Sequence, residues 1–249
     1  MYRLFQILLL CSIPFLSISQ SITELNGQIK QYLLAKNEPA TLACYKQILI
    51  LDKNNIDALC GASFMCSRIG NREKDAAKKK SFFNTAKIFA QQALKINSNY
   101  AQANYVMAVA MGRIALISGS QDKVAASRDI KKYADNAVKL DASNAAAWHT
   151  LGKYNYEVSN LNFAERAAAK ILFGGLPPGD LKSAIACYEK CKALDPNYIV
   201  NLLDLAKAYK QNDEDAKAKA LLNAILLLPE RFFDDAEYKN ECTKMLKDW

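Results

Sequence analysis

Residues 148–197 read WHTLGKYNYEVSNLNFAERAAAKILFGGLPPGDLKSAIACYEKCKALDPN, and the two ends of this stretch decide the fold. At the N-terminal end of the stretch, two large apolar residues lie three positions apart, as on one face of a helix, and a glycine follows the second one. The other end repeats small residues at helical spacing and stops at a proline. This pattern predicts two antiparallel helices that pack closely through their small residues. The residues concerned are Trp148, Leu151, Gly152, Ala184, Tyr188, Cys191 and Pro196.

These seven residues match the template of the tetratricopeptide repeat, a helix pair of about 34 residues. They occupy template positions 4, 7 and 8 in the first helix and positions 20, 24, 27 and 32 in and after the second. The next unit repeats the match with Leu202, Leu205, Ala206, Tyr209, Ala218 and Leu222. A repeat of this kind builds a binding surface and seldom performs chemistry.

Four stretches share one local pattern, in which a helix ends, an Asn or Asp turn follows and a new helix starts. They are ILDKNNIDAL at 50–59, ALKINSNYAQANY at 93–105, AVKLDASNAAAW at 137–148 and KALDPNYIVNL at 192–202. Polar residues in such turns cap the following helix. Successive turns lie 45, 44 and 54 residues apart, which exceeds the repeat length and indicates lengthened or inserted helices.

The sequence therefore predicts an all-α fold, a tetratricopeptide-repeat-like α-solenoid of about five helix pairs with inserted and lengthened helices. We expect the pairs between residues 22 and 227, a short helix near 163–172 within the insertion, and a C-terminal helix at 234–246. No run alternates with a period of two over the length of a strand, so no sheet is expected.

The split repeat resembles the core of the regulator of microtubule dynamics protein family. That family has a Trp-His-x-Leu-Gly motif, a Tyr-Glu-Val motif, a Lys/Arg- and Ala-rich insertion and a Phe-Gly-x-x-Pro-Pro loop in this order. Here they lie at 148–152, 156–158, 166–171 and 173–178, and the resemblance covers roughly residues 136–212. It implies an all-helical interaction fold and non-catalytic roles: microtubule association, and phospholipid binding at organelle contacts.

The N-terminus predicts export. Arg3 precedes an apolar core at residues 4–16, and Ser17-Ile18-Ser19 before Gln20 has the small-x-small pattern of a cleavage site. We therefore expect a signal peptide at residues 1–19, a helical domain at 20–249, and a periplasmic or secreted protein. An uncleaved anchor is the alternative. An exported chain does not meet cytosolic tubulin, so we expect no microtubule binding and interpret the chain as a bacterial cell-envelope member of the family.

The charge is positive and unevenly distributed. The full chain carries a net charge of +8, and residues 20–249 carry 32 basic and 25 acidic side chains. Residues 68–95 hold eight basic side chains against two acidic ones. Such a run can bind anionic lipid or nucleic acid, although a solvated helix face is its ordinary explanation. Aromatic residues are not interleaved with it as in nucleic-acid-binding proteins, so no nucleic acid partner is expected.

The repeat register also predicts a binding groove. The first helices of successive pairs line the concave face of a solenoid, and template positions 5, 9, 12 and 13 point into it. These positions mix aromatic and basic residues, which suits an acidic peptide or, alternatively, an anionic phospholipid. A C-terminal helix that folds back and closes the groove is a further alternative. The predicted groove residues are Phe64, Arg68, Tyr105, Arg113, His149, Lys153, Tyr156 and Lys207.

No catalytic or metal-binding pattern accompanies this groove. His149 is the single histidine, and no residue near it in sequence completes a nucleophile–base pair or a metal site. Gly174-x4-Gly179 resembles the start of a phosphate-binding loop, but Asp180 stands where that motif needs lysine. Cys187 and Cys191 take apolar repeat positions, so we interpret the six cysteines after residue 20 as buried free thiols. We expect no enzyme activity, no cofactor and no metal.

The function predicted from the sequence is thus a non-catalytic scaffold of the cell envelope that binds a protein or peptide partner in its concave groove. The alternative is a phospholipid-binding module that uses the same groove.

Overall fold

A computed structural model describes residues 21–249. This part of the chain is built of helices and contains no strand. The all-α, tetratricopeptide-repeat-like solenoid predicted from the sequence is confirmed. The helices are α1 (Ile22–Leu34), α2 (Glu38–Leu51), α3 (Ile56–Arg72), α4 (Ala76–Ile96), α5 (Ala101–Leu116), α6 (Ser120–Leu140), α7 (Ala145–Ser159), α8 (Phe163–Phe173), α9 (Leu181–Leu194), α10 (Ile199–Gln211), α11 (Asp215–Leu227) and α12 (Asp235–Lys247).

The helices form five pairs in series: α1 with α2, α3 with α4, α5 with α6, α7 with α9, and α10 with α11. The first helices α3, α5, α7 and α10 also contact one another in succession. Their shared side is the concave groove. The inserted helix α8 packs against α6, outside the series of pairs. Helix α12, which matches the C-terminal helix expected at residues 234–246, packs on α10 and α11 and covers the end of the solenoid.

Polar residues in the turns start many of the helices. The side chains of Asn37, Asn55, Asp75, Asn144 and Asp180 each accept a hydrogen bond from a backbone N–H in the first turn of the following helix. These bonds satisfy donors that have no partner within the helix. Of the four repeated turns of the sequence, those before α3 and α7 are therefore side-chain caps. The other two are not, because Tyr100 and Tyr198 stand at the N-caps of α5 and α10 and make no side-chain cap hydrogen bond.

Small residues let paired helices approach closely, and Gly152 shows why. A Cβ atom at Gly152 of α7 would lie 2.6 Å from Cδ1 of Tyr188 on α9. The Tyr188 ring is fully buried at this contact. Template positions 8 and 24 thus meet face to face, which fixes the separation of the two helices although the insertion stands between them in sequence.

The insertion ends in a defined turn. Helix α8 begins with a reciprocal capping box between Asn162 and Glu165 and ends at Gly174, whose φ of +74° lies in the left-handed region that favours glycine. Arg128 of α6 donates a hydrogen bond of 2.9 Å to the carbonyl oxygen of Gly175. The glycine-rich run is therefore a helix C-cap followed by a turn.

The cysteines behave as apolar core residues. Within residues 21–249 all six thiols are free and buried: Cys44, Cys60, Cys66, Cys187, Cys191 and Cys242. This confirms the prediction of buried free thiols. Burial raises the pKa of the Cys60 thiol to about 12 and that of Cys66 to about 11.

The predicted signal peptide at residues 1–19 lies outside the described residues. From residue 21 onward, no helix combines the length and the apolar character that a bilayer span requires.

Candidate functional site: the concave groove

The eight predicted groove residues lie on α3, α5, α7 and α10, which are four of the five first helices. Tyr105 is buried, and the other seven are half-buried. They fall into two clusters with different surroundings. Phe64 and Arg68 of α3 lie near Tyr105 and Arg113 of α5, and His149, Lys153 and Tyr156 of α7 lie near Lys207 of α10.

The first cluster is covered by the segment between α11 and α12. We call residues 228–234 the strap. It reaches from the α1–α2 turn, where Glu230 pairs with Lys36, to the α9–α10 turn, where Arg231 pairs with Asp195. The strap therefore joins the first and the last repeats across the groove.

A buried ion network holds the strap to α3. Arg68 donates to Glu38 at 2.5 Å and to Asp234 of the strap at 3.0 Å. Arg72 donates to Asp234 at 2.9 Å and also pairs with Glu38. The side chains of Glu38 and Asp234 are only 7% and 10% exposed. Although burial acts to lower the pKa of Arg68, the two carboxylates raise it, so the guanidinium stays charged.

Aromatic side chains of the strap stack on the same arginines. The guanidinium of Arg68 lies 5.0 Å from the ring centre of Phe232, and that of Arg72 lies 4.6 Å from the ring centre of Phe233. Phe232 also meets Tyr198 edge-on at 6.0 Å. The contact of Arg68 with half-buried Phe232 is partly desolvated and therefore the stronger of the two, since Phe233 is 58% exposed.

A cavity of about 240 Å³ opens beside Phe232. Four aromatic rings and a few amide and carboxylate groups line it. Its lining residues are Phe64, Gln102, Tyr105, Asn144, Ala146, Asp195, Tyr198 and Phe232. Two of the eight predicted groove residues, Phe64 and Tyr105, thus share a cavity that can take an apolar side chain.

Arg113 differs from the other groove cations. Its guanidinium donates to the Asn71 amide oxygen at 2.9 Å, and among the described residues it makes no ion pair. Burial lowers its pKa, and Tyr238, Arg68 and Asp234 lie close enough to influence it. A partly buried guanidinium with an amide as its partner retains capacity to bind a carboxylate or phosphate.

The second cluster converges on Asp204 of α10. His149 Nε2 lies 3.0 Å from one carboxylate oxygen, and the ammonium groups of Lys153 and Lys207 lie 3.5 and 3.9 Å from the other. Burial of Asp204 acts to raise its pKa, but the His149 hydrogen bond and the nearby positive charges lower it to about 2. Lys207 also pairs with Glu241 of α12 at 2.7 Å. The ammonium groups of Lys153 and Lys207 are therefore paired within the chain, and His149 is hydrogen-bonded there.

Sequence reasoning missed the acidic partners of the groove. Asp204 and Asp234 were not predicted to face it, and neither was Phe232. The signal available was the run Phe232-Phe233-Asp234-Asp235, an aromatic and acidic stretch after a proline. The sequence left two alternatives: a groove that is free, and a groove that a C-terminal helix closes. The strap lies over the first cluster, and Tyr238 in the first turns of α12 lies near Arg113.

No metal site accompanies the groove: residues 21–249 contain no group of three or more His, Cys, Asp or Glu side chains arranged to hold an ion.

Known proteins share this fold. The profile described as regulator of microtubule dynamics protein 1-3 matches residues 22–249, nearly all of the described chain. The chain belongs to this family. The resemblance found in the split repeat is thereby confirmed, and it extends beyond the residues 136–212 that the motifs cover.

Similar members of the regulator of microtubule dynamics family include two animal proteins. The human regulator of microtubule dynamics protein 2 is 29% identical over 170 residues, which are 68% of this chain and 42% of the human protein. The Caenorhabditis elegans regulator of microtubule dynamics protein 1 is 24% identical over 159 residues, 64% of this chain and 70% of that protein. The matched part of the chain thus spans about two fifths of the length of the human relative.

A solved structure shows the same architecture. A thermophilic tetratricopeptide-repeat protein of Thermus thermophilus superposes with a TM-score of 0.66 at 13% identity, covering 91% of this chain and 100% of that one. At this identity the likeness shows the fold, and this family member is therefore a tetratricopeptide-repeat solenoid.

Proposed function

We propose that the protein is a non-catalytic scaffold that binds an acidic segment of a protein partner in its concave groove. The observation that carries the proposal is Arg113, a partly buried guanidinium in the groove whose hydrogen-bond partner is the Asn71 amide. A carboxylate from a partner would give it a charge-assisted bond, which is stronger than a neutral one. The adjacent cavity lined by Phe64 and Tyr105 would take an apolar side chain of the same segment.

A scaffold role agrees with the family and the fold. Relatives are named as regulators, and solenoids of helix pairs work by presenting a concave binding surface. The single histidine supports no catalytic role, because His149 is hydrogen-bonded to Asp204 and meets Tyr198 edge-on. It holds α7 to α10 and has a structural role.

A binding titration tests the proposal. The probe is a fluorescein-labelled hexaglutamate peptide, titrated with a chain that begins at Gln20. Replacing Arg113 by Met removes a charge-assisted bond of roughly 1.5–3 kcal/mol, so the affinity should fall at least about tenfold. Lys80→Met removes an equal charge from the exposed side of α4 and should leave the affinity within about twofold. An equal loss of affinity in both variants would mean that the peptide responds only to the net charge of the protein, and this would overturn the proposal.

We propose in addition that the protein acts in the cell envelope. The charged, apolar and small-residue segments at residues 1–19 have the order of a signal peptide. An exported chain would meet envelope proteins and no microtubules, whatever role the names of the animal relatives describe. N-terminal sequencing of periplasmic or secreted material should begin at or near Gln20. Membrane-bound protein that retains Met1 would overturn this localisation.

Phospholipid binding is a second candidate function, and α8 favours it. Phe163, Ile171 and Leu172 are 86%, 81% and 66% exposed on this rigidly capped helix. Ala164 and Ala168 continue the same apolar side, and Lys170 adds an exposed cation. A short helix with an apolar face beside a cation suits the surface of an anionic membrane. The groove cations favour lipid less, because carboxylates of the chain already pair with Arg68, Lys153 and Lys207.

Co-sedimentation with vesicles tests this second candidate. The parent should bind vesicles that contain a quarter phosphatidylglycerol, and Ile171→Ser with Leu172→Ser should abolish binding. The matched control is Leu116→Ser, which changes an equally exposed leucine (68%) at the end of α5. Binding that survives the double substitution would exclude α8 as the membrane contact.

A further inference from the structure

The groove is occupied by a segment of the chain itself, and the contacts of that segment show which chemistry the groove accepts. The strap places two aromatic rings and one carboxylate against the arginines of α3. Phe232, the ring beside the cavity, lies two positions before the carboxylate of Asp234. We infer that the strap stands in for a partner segment that carries an aromatic residue two positions before a carboxylate. Such a segment binds by displacing the strap. The inference rests on the proposed function, because it names the partner chemistry of the same groove.

The aromatic half of the site has room for a ligand. Phe232 forms one wall of the cavity of about 240 Å³, and Phe64, Tyr105 and Tyr198 form others. When the strap leaves, the space of the Phe232 side chain joins the cavity. The ring of an incoming aromatic residue can then meet Tyr198 edge-on and lie against the guanidinium of Arg68, as Phe232 does now.

The charged half of the site favours an acidic ligand. Arg68, Arg72 and Arg113 bring three guanidinium groups to this part of the groove, and Glu38 and Asp234 bring two carboxylates. When Asp234 leaves with the strap, two positive charges are left without a carboxylate. A partner segment that carries two carboxylates restores neutrality, whereas the strap supplies only one, because Asp235 is used to accept the backbone N–H groups of Arg231 and Phe232.

The strap can leave without unfolding of the last helices. Helices α11 and α12 pack on each other and on α10 around Cys242, away from α3. The strap has no regular secondary structure between them. As a tethered competitor it acts at an effective concentration of about a millimolar, so a free segment of equal intrinsic affinity binds the parent weakly.

Competition between free and tethered segments tests the inference. The probe is a labelled peptide of residues 228–238, LPERFFDDAEY, titrated with the parent and with two strap variants. Phe232→Ala removes the aromatic contact of the tethered strap, and Asp234→Asn weakens its ion pairs, while each leaves Arg68, Arg72 and Tyr198 in place. Both variants should bind the peptide at least about tenfold more tightly than the parent. Asp248→Asn, an exposed change beyond the strap, should bind as the parent does.

Two further arms make the outcome decisive. Circular dichroism establishes that each variant is folded, and Phe232→Ala decides the result if Asp234→Asn does not fold. Adding Arg72→Met to Phe232→Ala should remove the gain in affinity, which locates the peptide in the groove. A strap variant that binds the peptide no more tightly than the parent overturns the inference. If hexaglutamate still binds the parent through Arg113 in that case, the proposed function stands, and if it does not, both fall.

Discussion

Asp234 accepts a hydrogen bond of 3.0 Å from Arg68, although 166 residues separate them in the chain. Through this contact the strap, which connects α11 to α12, lies against α3 of the second repeat and closes part of the solenoid. Because both side chains are largely buried, the bond belongs to a network rather than to a solvated surface pair. The concave groove of this protein is therefore closed over its first cluster.

Removal of one member of this network should destabilise the fold. Glu38→Gln leaves Arg68 and Arg72 with a single carboxylate between them, and breaking a buried pair in this way costs about 3–5 kcal/mol. Urea denaturation measures the change. Lys217→Ala breaks the exposed pair with Glu214 and should cost less than about 1 kcal/mol. Equal effects of the two substitutions would mean that the network is not buried in solution.

The close approach of α7 and α9 gives a second prediction. Gly152→Ala places a methyl group 2.6 Å from the Tyr188 ring and should destabilise the protein by about 1–3 kcal/mol. Gly112→Ala makes the same change within α5, where no heavy atom lies within 4 Å of the new group, and should stabilise the protein by about 0.5–1 kcal/mol. Thermal melting of both variants compares them, and opposite signs are expected. A neutral Gly152→Ala would show that the repeat register is wrong.

Much of this packing could be predicted from local sequence. Gly152 and Tyr188 follow the repeat template, and Asn144 follows the rule for helix caps, so the helix pairs were predictable across the insertion. The strap was not, because its partners Lys36 and Arg68 lie 194 and 166 residues away and no periodicity connects them. Which charged residues of distant segments pair with each other is decided by the tertiary structure, so the local sequence does not predict it.

The groove lining shows a second limit of the repeat register. Lys207 of α10 was expected to face the groove, and the repeat register places Leu203, one helical turn earlier, on the same face. Leu203 is nevertheless buried at 1% exposure in the core beneath α12. Asp204, one position later, instead collects the positive charges of α7 and α10. The repeat register predicts only which face of a helix points to the groove. Because α10 is packed against α7, α9, α11 and α12, residues that an open solenoid would expose on this face are buried.

The carboxylate of Asp204 predicts a dependence of stability on pH. Its pKa is lowered from 3.8 to about 2, so folding favours the ionised form. Ionised Asp204 therefore adds about 2 kcal/mol to the free energy of unfolding. This contribution is fully present above about pH 4 and is lost as the pH falls through about 2. Urea denaturation at pH 4.5 and at pH 2.5 measures it. Asp204→Asn should flatten this part of the curve relative to the control Asp248→Asn, and parallel curves would contradict the assignment.

The thiols should be unreactive in the native protein. Burial raises the pKa of Cys191 to about 12 and that of Cys242 to about 11, so little thiolate exists near neutral pH and the sulfur atoms are inaccessible. A chain that begins at Gln20 should react slowly with Ellman's reagent at pH 8 while it is folded. Unfolded in guanidinium, it should promptly release six equivalents of thionitrobenzoate, one for each cysteine. Rapid reaction of native protein would mean that the core around these residues opens easily.

An acidic partner segment that binds in the concave groove should displace the strap. Hydrogen–deuterium exchange of the chain, measured with and without saturating LPERFFDDAEY peptide on the Phe232→Ala background, tests it most directly. Bound peptide should slow exchange in α3 near Arg68 and Arg72 and accelerate it at residues 228–234 of the strap. Unchanged exchange in the strap, or protection confined to the outer helices α4 and α6, would contradict the account.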